Sequence, residues 1–172
     1  MKRALFAVLA SAMLATTAPA ATPMSTPPNP FIDKGACPFE CCTYRDWTTT
    51  KPVTLLDKPD GRTKIVSVPA KTVVQGVTGD VYSVPVSVKA THAFADSPIK
   101  KGDTFYAMHS MGEGFWKVWF RGKTYEVDMS EAADNAYLEK ASNRWWIQIK
   151  TKDGKTGWVL NDDQFDNQDS CG

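Results

Sequence analysis

Four cysteines are the residues of this chain with the clearest chemical potential. Three of them lie in the stretch CPFECC, at Cys37, Cys41 and Cys42, and the fourth is Cys171. Such a group can bind zinc through thiolates, form a redox-active pair, or form two disulfides. The compartment decides among these chemistries, because thiols stay reduced in the cytosol and oxidise outside it.

The N-terminal stretch MKRALFAVLASAMLATTAPAATP indicates the compartment. A basic start at Lys2 and Arg3 precedes an apolar run over residues 4–14 and small residues up to Ala20. This pattern is typical of a secretory signal peptide over residues 1–20, so we expect a periplasmic or extracellular protein. The apolar run is about half of the ~20 residues that a membrane-spanning helix needs, and no later run is longer, so no membrane span is predicted.

In an oxidising compartment the four cysteines predict two disulfides. A bond between Cys41 and Cys42 is disfavoured, because adjacent Cα atoms lie about 3.8 Å apart and a disulfide usually needs at least ~4.4 Å. We expect Cys37 to pair with Cys41 or Cys42, and the remaining cysteine to form a long bridge with Cys171. Because the cluster lacks C-x-x-C and an exported chain meets oxidants before much zinc, we predict no metal and no cofactor.

Other residue types give only weak catalytic patterns. The chain has two histidines, His92 and His109, and no G-x-S-x-G motif. Ser110 adjoins His109, but neighbouring residues of a strand point to opposite faces and cannot form a nucleophile and base pair. Glu126 and Asp128 share a strand face, where solvated charges are the ordinary outcome. We therefore predict that the protein is not an enzyme.

The charge balance excludes another class of partner. Of the 20 basic residues, Lys2 and Arg3 lie in the predicted signal peptide, so 18 remain against 19 acidic residues. A nearly neutral chain has no electrostatic footprint for nucleic acid or for an anionic membrane. The remaining length, about 150 residues, is enough for one domain or two small modules.

Composition divides the rest of the chain into three parts. Residues 21–34 begin with ATPMSTPPNP, which is rich in proline and poor in apolar side chains, so we expect a linker there. Residues 35–52 form a cysteine-rich segment. From residue 53 to 172, short β-branched and aromatic runs alternate with turn residues, which predicts an all-β fold with small barrels.

Local signals refine this all-β prediction. Asp60 and Asp153 each precede a glycine between strand-like runs, which predicts two hairpin turns. One short helix is predicted over residues 130–141, SEAADNAYLEKA, with Ser130 as its N-cap. It is too short and polar to organise a core, so we expect an insertion between strands.

Alternation within the strands separates core aromatics from exposed ones. In RWWIQIK, Trp145 and the two isoleucines share the core face, whereas Trp146 lies on the other face. In FWKVWF, Phe115 and Trp119 share a face with a lysine. Exposed aromatics stack on sugar rings or grip peptides, so we predict Trp146, Trp119 and Phe115 as ligand contacts.

Residues 144–159, RWWIQIKTKDGKTGWV, resemble the closing hairpin of bacterial SH3-like (SH3b) domains. In that family, a strand that begins with Trp, a turn, and a Gly-Trp-Val strand complete a small barrel. Residues 54–77 look like the opening of the family, and residues 101–128 resemble a further part of it. The resemblance implies either one elaborated barrel or two packed and interleaved units, about 53–128 and 129–172.

The resemblance also implies a non-catalytic module of the bacterial envelope. Our hypothesis is an exported binding module whose partner is cell-wall peptidoglycan or a peptide. One alternative is a structural module that recognises an envelope protein at an edge strand or an apolar patch. Another is a thiol-active envelope protein in which Cys41 and Cys42 compete for Cys37.

Overall fold

The computed structural model describes residues 26–130 and 142–171. The predicted signal peptide and residues 131–141 of the predicted helix lie outside these ranges. The described residues form twelve β-strands and no helix, which confirms the all-β fold class. Accordingly, no helix that could cross a membrane occurs in the two described ranges.

Two sheets contain all twelve strands, and every strand pair is antiparallel. The larger sheet contains β1 (Phe31–Lys34), β2 (Asp46–Thr49), β3 (Val53–Leu56), β4 (Lys64–Val68), β5 (Val73–Ser83), β10 (Asn143–Lys150), β11 (Thr156–Leu160) and β12 (Phe165–Asp166). The smaller sheet contains β6 (Val86–Lys89), β7 (Thr104–Gly112), β8 (Phe115–Phe120) and β9 (Lys123–Asp128).

The larger sheet curls into a half-barrel around its longest strand, β5, which has eleven residues. The strand order is β12-β2-β5-β10-β11-β3-β4, and β1 joins the sheet by pairing with β5. Along one edge, β5 pairs first with β2 and then with β1, while its other edge pairs with β10. The half-barrel is therefore assembled on β5.

The concave face of the larger sheet holds an aromatic core. Trp145 and the two isoleucines of β10 are buried there, as the alternation of β10 predicts. Trp47 is also buried, with its ring centroid 5.6 Å from that of Phe165. A Cβ on Gly76 would come within 2.8 Å of the Trp47 ring, so glycine lets the indole lie directly on the β5 backbone.

The smaller sheet is a meander, β6-β7-β8-β9, with a core of its own. Trp116, Val118 and Phe120 of β8 point into this core, and the loop before β7 covers it with Phe94 and Ile99. The meander is an insertion between β5 and β10. The larger sheet therefore takes its strands from residues 31–83 and 143–166, and the smaller sheet from residues 86–128, so these bounds differ from those of the interleaved units expected at about 53–128 and 129–172. The partner of β10 is the distant β5, and no local pattern reports such a pairing.

Strand β1 corrects the predicted boundary of the linker. Phe31–Lys34 pairs with the end of β5, from Phe31 opposite Ser83 to Lys34 opposite Asp80. Phe31 is buried, with its ring edge-to-face against Trp119 of the smaller sheet at a centroid distance of 6.2 Å. The linker expected over residues 21–34 therefore ends before Phe31, because a buried aromatic and a strand pairing order the residues after it.

An ionic cluster beside Phe31 joins the two sheets. The Asp33 carboxylate on β1 lies 2.9 Å from His109 Nε2 on β7 and 2.9 Å from Lys117 Nζ on β8. His109 is only 1% exposed, and its Nδ1 lies 2.9 Å from the Ser110 carbonyl oxygen. Both ring nitrogens of His109 therefore lie within hydrogen-bond distance of an oxygen atom.

The surroundings of Asp33 act on its pKa in opposite directions. Burial raises the pKa, whereas hydrogen bonds from His109 and Lys117, together with their charges, lower it, and the net result is a lowered pKa. The carboxylate is therefore ionised at neutral pH. It accepts hydrogen bonds from two strands of the smaller sheet, so it holds that sheet to β1.

We predict that Asp33→Asn lowers the free energy of unfolding by about 2 to 3 kcal/mol at pH 7, measured by urea denaturation. The expected loss lies below that of a fully buried broken ion pair because Asp33 keeps some contact with solvent. Asp166→Asn is the matched control, since Asp166 is exposed and its side chain makes no hydrogen bond in the described residues.

The pH dependence of the unfolding free energy provides a second readout. Folding lowers the pKa of Asp33 from its ordinary value of 3.8, so its contribution is complete above that value. The contribution is lost as the pH falls through the folded pKa. The wild type should lose this stability in acid and Asp33→Asn should not. Identical acid profiles for the two proteins would contradict the role of Asp33.

Candidate functional site

The four cysteines form two disulfides in the structure, Cys37 with Cys42 and Cys41 with Cys171. The Cα atoms of each pair lie 5.5 Å apart. Backbone hydrogen bonds flank the long bridge, since Ser170 N donates to the Cys41 carbonyl at 2.9 Å. The bridge therefore fastens a C-terminal segment that already pairs with the cysteine-rich segment.

The surroundings of the long bridge favour a structural role over metal binding. A Glu40 carboxylate oxygen and the sulfur atoms of Cys41 and Cys171 lie within 4.8 Å of one another. Those two sulfurs are bonded to each other, however, and zinc binds thiolates, usually four ligands in a tetrahedron. Cys37 and Cys42 pack against the core of the larger sheet. A thiol or metal centre here would first require reduction of the bridge.

Trp146 is not accessible to a ligand from solvent, as a contact residue must be. Its side chain is only 6% exposed, although it is on the face of β10 opposite the aromatic core. Arg144, on the same face, forms a two-point ion pair with Asp60 of the β3–β4 loop, which holds that loop at this face. The prediction of Trp146 as a ligand contact is therefore wrong. The alternation of side chains along β10 identified the face on which Trp146 lies, but it could not show that other residues bury this face.

The other two predicted contacts lie on the outer face of the smaller sheet. Trp119 is half-buried, because Phe31 of β1 packs against it. Phe115, at the other end of β8, is 45% exposed and is the most exposed large hydrophobic side chain of the described residues. Strand β1 thus covers one end of this face and leaves the other end open.

Phe115 lies between two adjoining hollows, of about 430 and 490 Å³. Both hollows are lined by Phe115, Asp96 and Glu126. We call their union the Phe115 groove. Its remaining lining residues are His92, Ala93, Phe94, Ala95, Asp128, Lys117, Thr124 and Tyr125.

The register of β8 and β9 explains why these side chains meet. Phe115 lies opposite Asp128, and Lys117 lies opposite Glu126, so all four side chains point to the same face. Asp96 reaches the groove from the loop between β6 and β7, where it has a positive φ of 59°. Asp and Asn tolerate this conformation better than most residues. The groove therefore combines two strands and one long loop.

The groove carries an excess of negative charge around an apolar centre. Asp96, Glu126 and Asp128 contribute carboxylates. Hydrogen bonds from the Ser130 hydroxyl and backbone N–H lower the pKa of Asp128, so that carboxylate is ionised at neutral pH. Lys117 is already engaged, at 2.9 Å from Asp33 and 3.7 Å from Glu126. The arrangement can accept hydrogen bonds and positive charge from a ligand that covers the Phe115 ring.

Sequence reasoning found part of this groove. It identified Phe115 as an exposed aromatic, and it placed Glu126 and Asp128 on one strand face without assigning them a ligand. It missed Asp96, which lies outside every strand and approaches Phe115 only through the fold. The positive φ of Asp96 leaves no mark in the sequence that would distinguish it from other loop aspartates.

Comparison with known proteins gives no assignment for this groove. No family model, no curated protein and no solved structure matches the chain. The resemblance of residues 144–159 to SH3b domains therefore stays a prediction, and the function must be argued from the geometry of the groove.

We predict that the two disulfides contribute unequally to stability. Replacing both Cys41 and Cys171 with serine opens a bridge with a sequence separation of 130, whereas the Cys37 and Cys42 bridge has a separation of 5. In the chain-entropy model the long bridge stabilises by up to about 5 kcal/mol and the short one by about 2 kcal/mol. Urea denaturation of the two double variants should show the larger loss for the first.

Peptide mapping without reduction is the control for this comparison. It should recover Cys37 joined to Cys42 and Cys41 joined to Cys171 in the wild type, and the intact bridge alone in each double variant. Free thiols in the wild type, or equal losses of stability in the two variants, would contradict the structural role of the long bridge.

Proposed function

We propose that this chain is an exported, non-catalytic binding module of the bacterial envelope, and that the Phe115 groove binds cell-wall glycan or peptide. The observation that carries the proposal is the exposed Phe115 ring between two hollows lined by carboxylates. An exposed aromatic ring has a favourable free energy of transfer out of water. Binding of a ligand that covers the Phe115 ring is favoured by this transfer free energy.

The composition of the groove suits carbohydrate or peptide ligands. Flat apolar rings pack against the faces of sugars and against peptide side chains, and carboxylates accept hydrogen bonds from hydroxyl and amide groups. Aromatic side chains are also enriched among the residues that dominate binding energies. Phe115 supplies the apolar contact, and Asp96, Glu126 and Asp128 supply the acceptors.

The pKa of Asp128 does not favour acid catalysis by this carboxyl group in the groove. A general acid requires a raised carboxyl pKa, whereas the hydrogen bonds from Ser130 lower the pKa of Asp128. The buried His109 is engaged by Asp33 and the Ser110 carbonyl, so it is not positioned as a base in the groove.

Two further features support export and the kind of module. The sequence begins with a pattern typical of a signal peptide, and the four cysteines lie at disulfide distance, which fits an oxidising compartment. Strands β10 and β11 form a hairpin over the residues that resemble the closing hairpin of SH3b domains. That resemblance supports a partner in the cell wall.

A second candidate function is recognition of an envelope protein at an edge strand. The observation that favours it is the position of β9 at the edge of the smaller sheet, directly beside the Phe115 groove. Co-purification with an envelope protein but not with isolated cell-wall sacculi would favour this candidate over glycan binding.

We predict that Phe115→Ala reduces retention on isolated sacculi by at least about tenfold, because removal of a central aromatic contact commonly costs more than ~1.4 kcal/mol. Val84→Ala is the matched control, since Val84 is 44% exposed and does not line the groove. Retention is measured by co-sedimentation, and thermal melts establish that both variants fold.

Trp119→Ala is a poorer test, because Trp119 packs against Phe31 and its loss should lower stability as well. Equal retention of the wild type, Phe115→Ala and Val84→Ala would overturn the proposed role of the groove.

A further inference from the structure

Among the described residues, the outer edge of β9 carries backbone groups without hydrogen-bond partners. Strand β9 lies at the end of the order β6-β7-β8-β9. The hydrogen-bonding phase of β9, meaning which of its residues bond to β8, is fixed at both ends of the strand. At one end, Met129 N donates to the Gly114 carbonyl at 2.9 Å. At the other end, Arg121 and Gly122, both with positive φ, form the two-residue turn between β8 and β9. A residue's N–H and C=O point to the same neighbouring strand, and this direction alternates along the strand.

This phase determines which residues of β9 face outward. Since Met129 pairs with Gly114, the next hydrogen-bonded residues are Val127 and Tyr125, which face β8. The backbone groups of Thr124, Glu126 and Asp128 must therefore point away from β8. Within residues 26–130 and 142–171, none of these outward groups makes a backbone hydrogen bond to another strand. The edge thus presents three residues to which a further strand can bind.

The side chains of these same three residues belong to the Phe115 groove. Thr124, Glu126 and Asp128 line it, and they lie opposite residues of β8 on the outer face. A strand added beside β9 would lie about 4.8 Å away, with every second side chain on this outer face. Those side chains would lie next to the two carboxylates of β9 and close to Asp96 and Phe115.

Charge selects the kind of strand that fits this edge. The carboxylates at Asp96, Glu126 and Asp128 favour positively charged side chains, and Lys117, the lysine among the lining residues, is already paired with Asp33. The Phe115 ring can receive a cation or the apolar stem of a long basic side chain. A second copy of this strand fits less well, because its own Glu126 and Asp128 would lie next to those of the first.

We infer that the edge of β9 and the Phe115 groove form one docking surface for an extended peptide with basic side chains, which adds to the smaller sheet as a fifth strand. The inference rests on the proposed binding role of the groove and names its ligand class. The backbone of β9 supplies the hydrogen bonds, and the carboxylates with Phe115 select the side chains.

The probe for this surface is an acetylated and amidated heptapeptide in which lysine alternates with valine. We expect it to bind the full chain in calorimetric titration, with affinity that falls as the salt concentration rises. Two matched peptides are the controls, one with glutamate in place of lysine and one with N-methyl groups on the residues that would pair with β9. Both should bind at least about tenfold more weakly, since the first loses the charge match and the second loses the backbone donors.

Thr124→Pro tests the edge from the side of the protein. Proline removes an outward N–H at this position and leaves the hydrogen bonds to β8 intact, so the fold should tolerate it. We expect at least tenfold weaker binding of the lysine peptide and an unchanged thermal midpoint within a few degrees. If the variant does not fold, the N-methylated peptide still tests strand addition on the wild type.

The outcomes separate this inference from the proposed function. Failure of the wild type to bind the lysine peptide, equal binding of the N-methylated peptide, or equal binding of the glutamate peptide would overturn strand addition by a basic peptide. A dimer that pairs through β9, detected by sedimentation and abolished by Thr124→Pro, would also overturn it. Retention on sacculi that still depends on Phe115 in any of these cases would leave the proposed function standing.

Discussion

The pairing of β5 with β10 holds together two parts of the chain that the entire smaller sheet separates. Its register runs from Asn143 opposite Ser83 to Lys150 opposite Gln75. One face of this pair buries Trp145 and the isoleucines of β10 against Trp47, which gives the half-barrel its core. The same pairing brings the two ends of the insertion together at Ser83 and Asn143. The smaller sheet is therefore an insertion whose two ends are held close together by the larger sheet.

The orientation of the smaller sheet then depends on the short strand β1. Phe31 and Asp33 point from β1 toward β7 and β8, where they meet Trp119, His109 and Lys117. One contact is apolar and the other is ionic, so their combination favours a single arrangement of the two sheets. Because β1 has only four residues, it covers one end of the outer face and not the other. The exposure of Phe115 follows from this incomplete cover, whereas the edge of β9 is unpaired among the described residues because β9 is the last strand of the smaller sheet.

The disulfides and the Phe115 groove lie on different sheets, although the cysteine-rich segment also touches the smaller sheet, since Glu40 beside Cys41 packs against Gly112 at the end of β7. Both bridges lie where the cysteine-rich segment meets the larger sheet and the C-terminal residues. The groove lies on the smaller sheet, whose core contains no cysteine in the described residues. The covalent bridges therefore fasten the cysteine-rich segment and the C-terminal residues, while the groove itself is built from the register of two strands and from one loop.

The sequence by itself determined the local features of this protein. Alternation of side chains set the faces of β8 and β10, Asp-Gly pairs at Asp60 and Asp153 marked hairpin turns, and the spacing of CPFECC limited the disulfide pairings. These features depend on interactions between near neighbours, which leave periodic marks in a sequence. Phe115 was found in this way.

Only the tertiary structure decided which faces are covered and which strands pair across long distances. It buried Trp146, paired β10 with β5, moved Phe31–Lys34 out of the expected linker and brought Asp96 to the edge of β9. The physical reason is that cover and long-range register arise from contacts between residues far apart in the chain. The free energy of such a contact belongs to the pair, so neither residue's local sequence reveals it.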